Sequence, residues 1–297
     1  MGSGNVLHEL SSQLAALVES SAPAVVQVVS RHSRPATGTV FASERVLAPA
    51  AVVEEGDGSQ VRDASGRLHG AELLGADPSS GFAVLEVPGL TVTPPIAGER
   101  ARPGQLAVSL GRTWSGALAA SAGIVSVVGG PLRTGRGRGI EEVLRADVRV
   151  HPLGAGGPLI DVEGRATAVA TGAMMRGLPL FVPATIAWAI GETISMHGRI
   201  RRGYLGVSAQ PVRIPAGQRA GLSRETGLLV VALGENAPAE KAGVLVGDLI
   251  VGFDGQPIQD HDALLSMLDG DRIGKPASLE IIRGVEARTL QVTVGER

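Results

Sequence analysis

Between residue 22 and about residue 175 the chain is cut into short apolar segments by glycine-bearing turns, and this punctuation limits its folds more than any other feature. The segments are "SAPAVVQVVS", "TGTVFA", "RVLAPAAVV", "AELLGA", "FAVLEV", "QLAVSLG", "SAGIVSVVG", "EVLRADVRV", "GPLID" and "RATAVAT". Short β-branched runs with turn residues between them read as strands, and many in succession predict an all-β barrel or sandwich.

Helical signals flank that region. Residues 6–20 set Val6, Leu10, Leu14 and Leu17 at helical spacing. Later, "ATIAWAIGETISMHGRIRRG" repeats Ile186, Ile190 and Ile194 at intervals of four and gathers Arg199, Arg201 and Arg202 at its far end, where positive charge complements a helix C-terminus. This helix is expected to close a first domain. The arginines beyond it read as a solvated linker, and "RTGRGRG" at 133–139 as a mobile surface loop. The last hundred residues begin a second unit: a strand "GLLVVAL", a short helix "NAPAEKAG" capped by Asn236 and ended by Gly243, and strand segments around an Asp254-Gly255 turn. An amphipathic helix "DHDALLSMLD" and a closing hairpin follow. A length of 297 residues with 44% hydrophobic content suffices for two cores.

Several function classes are disfavoured at once. A formal net charge of -2 supplies no positive field for nucleic acid. With no cysteine there is no disulfide, thiolate catalysis or cysteine-held zinc. The histidines, His8, His32, His69, His151, His197 and His261, show no close metal-ligand spacing, so neither metal nor other cofactor is expected. No Lys or Arg precedes Arg31, and Glu9 and Glu19 interrupt the apolar residues there, so no export signal is expected as written. A cytoplasmic location follows, or an extracytoplasmic one if a signal or anchor has been removed. "GLPLFVPATIAWAI" is too short to span a bilayer and contains Pro179 and Pro183; a strand followed by a helix is expected, and no membrane span.

"AGVLVGDLIVGFDGQPI", with "RRGYLGV" upstream, resembles a PDZ domain of the type attached to HtrA/Deg serine proteases. The resemblance implies a turn of backbone N–H groups that receives a peptide carboxylate, with the peptide adding as a strand after Gly206. It assigns Tyr204, Leu205, Gly206 and Val207 to the carboxylate and Leu264, Met267 and Leu268 to the pocket for the last side chain. Residues 22–195, with "TGTVFASERVLAPAAVV", "GADPSSGFAVLEV" and "ADVRVHPLGAGGPLIDVEG" in the family's order, resemble its trypsin-like double β-barrel. The implied organisation is a mainly β protein: an N-terminal helix at 1–21, a protease-fold domain at 22–195, a linker at 196–203 and a PDZ domain at 204–297.

The family's histidine, aspartate and serine positions match Ala51, Gly81 and Ala155. Leu153, Gly154 and Ala155 form the matching oxyanion loop, with a leucine where the family carries glycine. Acyl transfer by serine needs a hydroxyl, an imidazole and a carboxylate, which alanine and glycine do not supply. The resulting expectation is a pseudoprotease rather than an enzyme. It would bind polypeptide C-termini or extended segments as an adaptor, sensor or chaperone in protein quality control. His151 and Asp147 are expected to support structure. The alternatives are an inert subunit co-assembled with an active relative, and residual serine-type endopeptidase activity. The resemblance also raises a homotrimer, although aromatic residues, which often staple such trimers, make up only 2% of the chain.

Overall fold

The computed structural model describes residues 5–296 apart from 32, 54–57, 79, 131, 135–136, 141, 176–177, 200–202, 220, 222–223 and 269. His32, Arg201, Arg202 and part of the 133–139 segment therefore lie outside the described residues. The chain forms two compact units that divide near residue 200.

In the first unit, helix α1 (Val6–Ser21) precedes strands β1 (Val25–Val29), β2 (Ala36–Ala42), β3 (Arg45–Pro49), β4 (Gln60–Arg62), β5 (Leu68–Gly70), β6 (Glu72–Asp77) and β7 (Phe82–Glu86). These strands make one antiparallel sheet in the order β5-β4-β1-β2-β3-β7-β6. The chain continues through β8 (Leu106–Arg112), β9 (Leu118–Gly129), β10 (Leu132–Thr134), β11 (Gly137–Ile140), β12 (Val143–Asp147), β13 (Pro158–Ile160), β14 (Ala166–Met175) and β15 (Leu178–Pro183). Of these, β12-β15-β14-β13-β8-β9 close into a barrel.

The β-branched runs fill the interiors, as their pattern predicts. Val26, Val28, Val40, Val46, Val61 and Leu85 pack within the first sheet, and Val125, Leu144, Leu159, Ala168 and Phe181 within the barrel. Helix α2 (Ala184–His197) buries Ala187 and Ile194 with Phe41, Leu47, Phe82, Val169 and Val182, so one cluster joins sheet, barrel and helix. Its end is set by Gly198, whose left-handed φ of 71° returns its N–H to the Ile194 carbonyl at 2.8 Å. On α1, Leu14, Leu17 and Val18 pack against Val25, Val108, Leu110 and Ile160, whereas Val6, Leu7 and Leu10 are exposed.

The second unit contains β16 (Gly203–Tyr204), β17 (Val207–Arg213), β18 (Thr226–Leu233), α3 (Pro238–Lys241), β19 (Leu249–Phe253), β20 (Gln256–Pro257), α4 (His261–Met267), β21 (Pro276–Arg283), β22 (Glu286–Thr293) and β23 (Gly295–Glu296). The main sheet runs β17-β18-β19-β21-β22, with β20 paired to β19 and β16 paired to β23. Strand β17 is thus an edge. Asp254 and Gly255 both adopt positive φ, 46° and 75°, as the tight turn between β19 and β20 requires. One expectation is corrected: α3 is capped by Ala237 with Pro238 following, not by Asn236. Asn236 has a φ of 56°, and its backbone N–H donates to Glu240 Oε2 at 2.6 Å. A proline preset for the first helical position moves the start one residue on.

Candidate functional site

Two places in the structure carry the residues singled out from the sequence. The first is the loop at 151–157. His151 Nδ1 accepts the Leu153 N–H at 3.1 Å, the Gly154 N–H donates to the His151 carbonyl at 2.7 Å, and the Gly157 N–H donates to Gly154 at 2.9 Å. His151 therefore folds the loop on itself through its ring and its backbone. From outside, the Leu153 carbonyl accepts both the Thr37 N–H at 2.8 Å and Thr37 Oγ1–H at 2.7 Å, while Thr39 Oγ1–H donates to the Gly156 carbonyl at 2.7 Å. Gly156 has a φ of 86°, and a Cβ there would overlap the Thr37 carbonyl oxygen and crowd Pro49. Glycine is required on both counts.

The packing of Pro49 against Gly156 brings the segment carrying Ala51 beside the loop carrying Ala155. The Ala50 N–H donates to the Gly81 carbonyl at 2.8 Å, so the segment carrying Gly81 joins them. Three sequence-distant stretches converge in this way. Within the 153–155 loop, the Leu153 N–H is directed to the His151 ring and the Gly154 N–H to the His151 carbonyl. Asp147 ends β12 as an exposed residue.

The second place is the turn at 204–207, at the open edge of the second unit. Tyr204 pairs with Gly295, and Gly206 takes a φ of 76°. The Leu205 carbonyl accepts the Ala239 N–H at 2.8 Å and that of Gly206 the Gly234 N–H at 2.8 Å. With those carbonyls turned inward and Leu205 buried, the turn is held from beneath. Val207 then opens β17. Leu264 and Leu268 of the α4 region lie in the core cluster with Leu205, and Met267 is half-buried against it. The Leu268 carbonyl accepts the Gly203 N–H at 3.1 Å, tying the end of α4 to the start of the turn. A Cβ on Gly206 would overlap that of Ala237 and lie 3.0 Å from the Tyr204 hydroxyl.

Sequence reasoning missed two features. His261, considered from the sequence only as a possible metal ligand, has Nε2 2.7 Å from the Ala209 carbonyl. A carbonyl can only accept, so the ring donates. Its one local signal was its place directly after Asp260, whose carboxylate caps the helix by accepting the Ala263 N–H at 2.8 Å. The second is Arg112, buried at 5% exposure, which donates to the carbonyls of Val25 at 2.8 Å, Ala22 at 3.0 Å and Gly116 at 3.2 Å. Burial lowers its pKa, partly offset by the charge of Asp63. The Arg112 backbone N–H donates to Thr37 Oγ1 at 2.8 Å, so the end of α1, β8, Thr37 and the 151–157 loop form one hydrogen-bonded chain.

Other shifted groups lie apart from both places. Burial disfavours the charge of Asp63, but hydrogen bonds from Ser65 and His69 and from the Arg67 and Ser65 backbone hold its carboxyl at about 2. Asp248, 1% exposed, is likewise penalised by burial and held low by Arg283, whose Nε and Nη2 each donate at 2.8 Å. Among the described residues, no group of three or more histidines and carboxylates could hold a metal ion, and no helix is long and apolar enough to cross a membrane.

This architecture defines a class: a trypsin-like peptidase domain followed by a PDZ domain, matched by family models over residues 36–169 and 203–294 respectively. Within that class the chain is similar to proteins of the HtrA/DegP type. It is 31% identical over 232 residues to a probable periplasmic serine endoprotease DegP-like of Pseudomonas putida, covering 76% of this chain and 48% of that protein. It is 29% identical over 269 residues to one of Ectopseudomonas mendocina, covering 88% and 54%. The chain thus spans about half the length of these relatives. Among solved structures it resembles an HtrA-type protease AlgW with tripeptide, at 25% identity and TM-score 0.77, covering 95% of this chain and 97% of that one. The serine endoprotease from Yersinia pestis, at 22% identity and TM-score 0.79, shares the fold, covering 95% and 97%.

These matches correct the expectation that the chain is not an enzyme. The relatives are named probable serine endoproteases, and the similarity points to a protease family. That expectation rested on residues 51, 81 and 155 and on the leucine at 153, whereas the matches extend over most of the chain.

Proposed function

We propose that this HtrA-type protein binds polypeptide C-termini or extended segments at the 204–207 turn and the edge of β17. One observation carries the reading: a glycine-centred turn whose carbonyls at 205 and 206 are taken from beneath, opening onto an edge strand beside α4. Successive N–H groups in such a turn suit a carboxylate, and an edge strand accepts an extended chain. A protein of similar fold, an HtrA-type protease AlgW, is described with a tripeptide, which favours peptide binding by this chain as well. Tyr204, Leu205, Gly206 and Val207 serve the carboxylate. Met267, half-buried, lines the last side chain's pocket, with the core residues Leu264 and Leu268 as its floor. We place the division between the two domains after α2, which runs to His197, and before β16, which begins at Gly203, so the linker expected at 196–203 is shorter at both ends.

Calorimetric titration of the whole chain with a library of C-terminal peptides tests this, using amidated copies as controls. Binding lost on amidation is the expected result; a library that binds equally in both forms, or not at all, overturns it.

A second reading, serine-type endopeptidase activity, is favoured by the names of the relatives. We place Ala51, Gly81 and Ala155 at the family's triad positions. A hydrolytic reaction would then draw its nucleophile and base from other side chains, since alanine and glycine carry neither. Turnover of unfolded casein, or labelling by acyl-enzyme probes, would establish it. Assembly with copies of this chain or with a related protease belongs to the same proposal and is read by light scattering.

A further inference from the structure

The edge of β17 is not uniformly open, and its two irregularities fall on the same side. Each strand residue directs its N–H and C=O to one side, and residues two apart share that side. Ala209 turns its carbonyl to His261 on α4, where Nε2–H donates at 2.7 Å. β18 covers the other side of β17, pairing from Val207 with Leu233 to Arg213 with Thr226. Ala209 therefore faces the free edge, and so does Pro211, which has no N–H. A proline in a strand is tolerated where the missing donor would point away from the sheet, in agreement with that placement. Val207 and Ala209 are half-buried against the core beneath the groove, while Ser208, Gln210 and Pro211 are exposed.

Resting on the peptide-binding reading above, consider a chain whose carboxylate sits at the 205–207 turn and which runs antiparallel to β17. Its last residue lies beside Val207, its third-from-last beside Ala209 and its fifth-from-last beside Pro211. The third-from-last N–H seeks the Ala209 carbonyl, which His261 occupies. The fifth-from-last carbonyl seeks a donor that Pro211 lacks.

We infer that His261 is a displaceable cap on the Ala209 carbonyl and that Pro211 ends the ladder one rung later, so the groove reads only the last four residues of a C-terminus. Every ligand must lift the imidazole off the strand before its third-from-last residue can pair. Length upstream of the fourth-from-last residue adds no complete rung. The groove thereby selects for short free tails over long extended segments.

The test uses the full chain and the tightest-binding free-acid decapeptide from the C-terminal library, with alanine at its third-from-last position, together with its last four residues alone. Wild-type protein is expected to bind the two within about twofold of each other. His261→Ala tightens both about fivefold, the worth of one net hydrogen bond no longer broken. Pro211→Ala supplies the missing donor and separates decapeptide from tetrapeptide by about fivefold in favour of the longer one. Both residues are exposed, so neither change threatens the core. A wild-type decapeptide tenfold tighter than its tetrapeptide, or unchanged or weaker binding by His261→Ala, overturns the inference while leaving carboxylate recognition intact. Absence of any amidation-sensitive binder would instead remove the reading on which it rests.

Discussion

Replacing Thr37 by valine isolates the contact that fixes the 151–157 loop. The side chain is fully buried, and valine keeps its shape while removing Oγ1. That oxygen donates to the Leu153 carbonyl at 2.7 Å and accepts the Arg112 N–H at 2.8 Å. The Leu153 carbonyl keeps the Thr37 backbone N–H, so losing the first bond costs about 1 kcal/mol. The Arg112 N–H is left buried without its acceptor, which costs about 1–2 kcal/mol more. The sum, about 2–3 kcal/mol, lowers the melting temperature of a unit of this size by about 5–10 °C. Calorimetric unfolding measures the shift, and native-state hydrogen exchange at the Gly154 and Gly157 amides localises it. Thr37→Ser is the control: it keeps both bonds and loses only a methyl that packs near Gly157, a loss of about 1 kcal/mol. A Thr37→Val protein within about 0.5 kcal/mol of wild type, or a Thr37→Ser protein equally destabilised, would refute the assignment.

Other outcomes follow from the same structure. The Asp63 carboxyl is held at about 2 against an ordinary 3.8, so its contribution to stability is present above about pH 4 and is lost as pH falls through 2. Denaturant titrations from pH 2 to 5 should show that slope in wild type and a flatter one in Asp63→Asn. Gly206→Ala forces a left-handed conformation on a residue with a Cβ and drives that Cβ into Ala237; peptide titration should show binding lost, with the second unit destabilised by about 2 kcal/mol or more. Arg112→Met removes a costly buried charge but takes a donor from each of the carbonyls of Ala22, Val25 and Gly116, for a net loss of about 2–4 kcal/mol in chemical denaturation.

The strands and α2 were legible because their signals are local. Alternating valines such as Val26 and Val28 point into one interior, and Gly198 marks a helix end by the only conformation that closes it there. The Asp254-Gly255 turn was legible for the same reason. What sequence did not disclose are contacts across long separations. Ala209 and His261 lie 52 residues apart, and Arg112 reaches back 90 residues to Ala22. No period or turn rule encodes either. The cap of α3 was misplaced because asparagine is a favoured cap residue, yet Pro238 fixes the start. At the candidate sites the sequence supplied which residues to examine, and the fold supplied which of them meet. Leu264 and Leu268 belong to the core as much as to any pocket, since the floor of a PDZ groove is also the roof of its core.

The central claim is that the 204–207 turn receives a carboxylate. Backbone amide resonances of the whole chain, followed while a free-acid peptide and then its amidated copy are added, test it most directly. The account predicts that the largest shifts fall on Leu205, Gly206 and Val207 with the free acid and vanish with the amide. Shifts of equal size with both peptides, or shifts centred elsewhere in the chain, would contradict it.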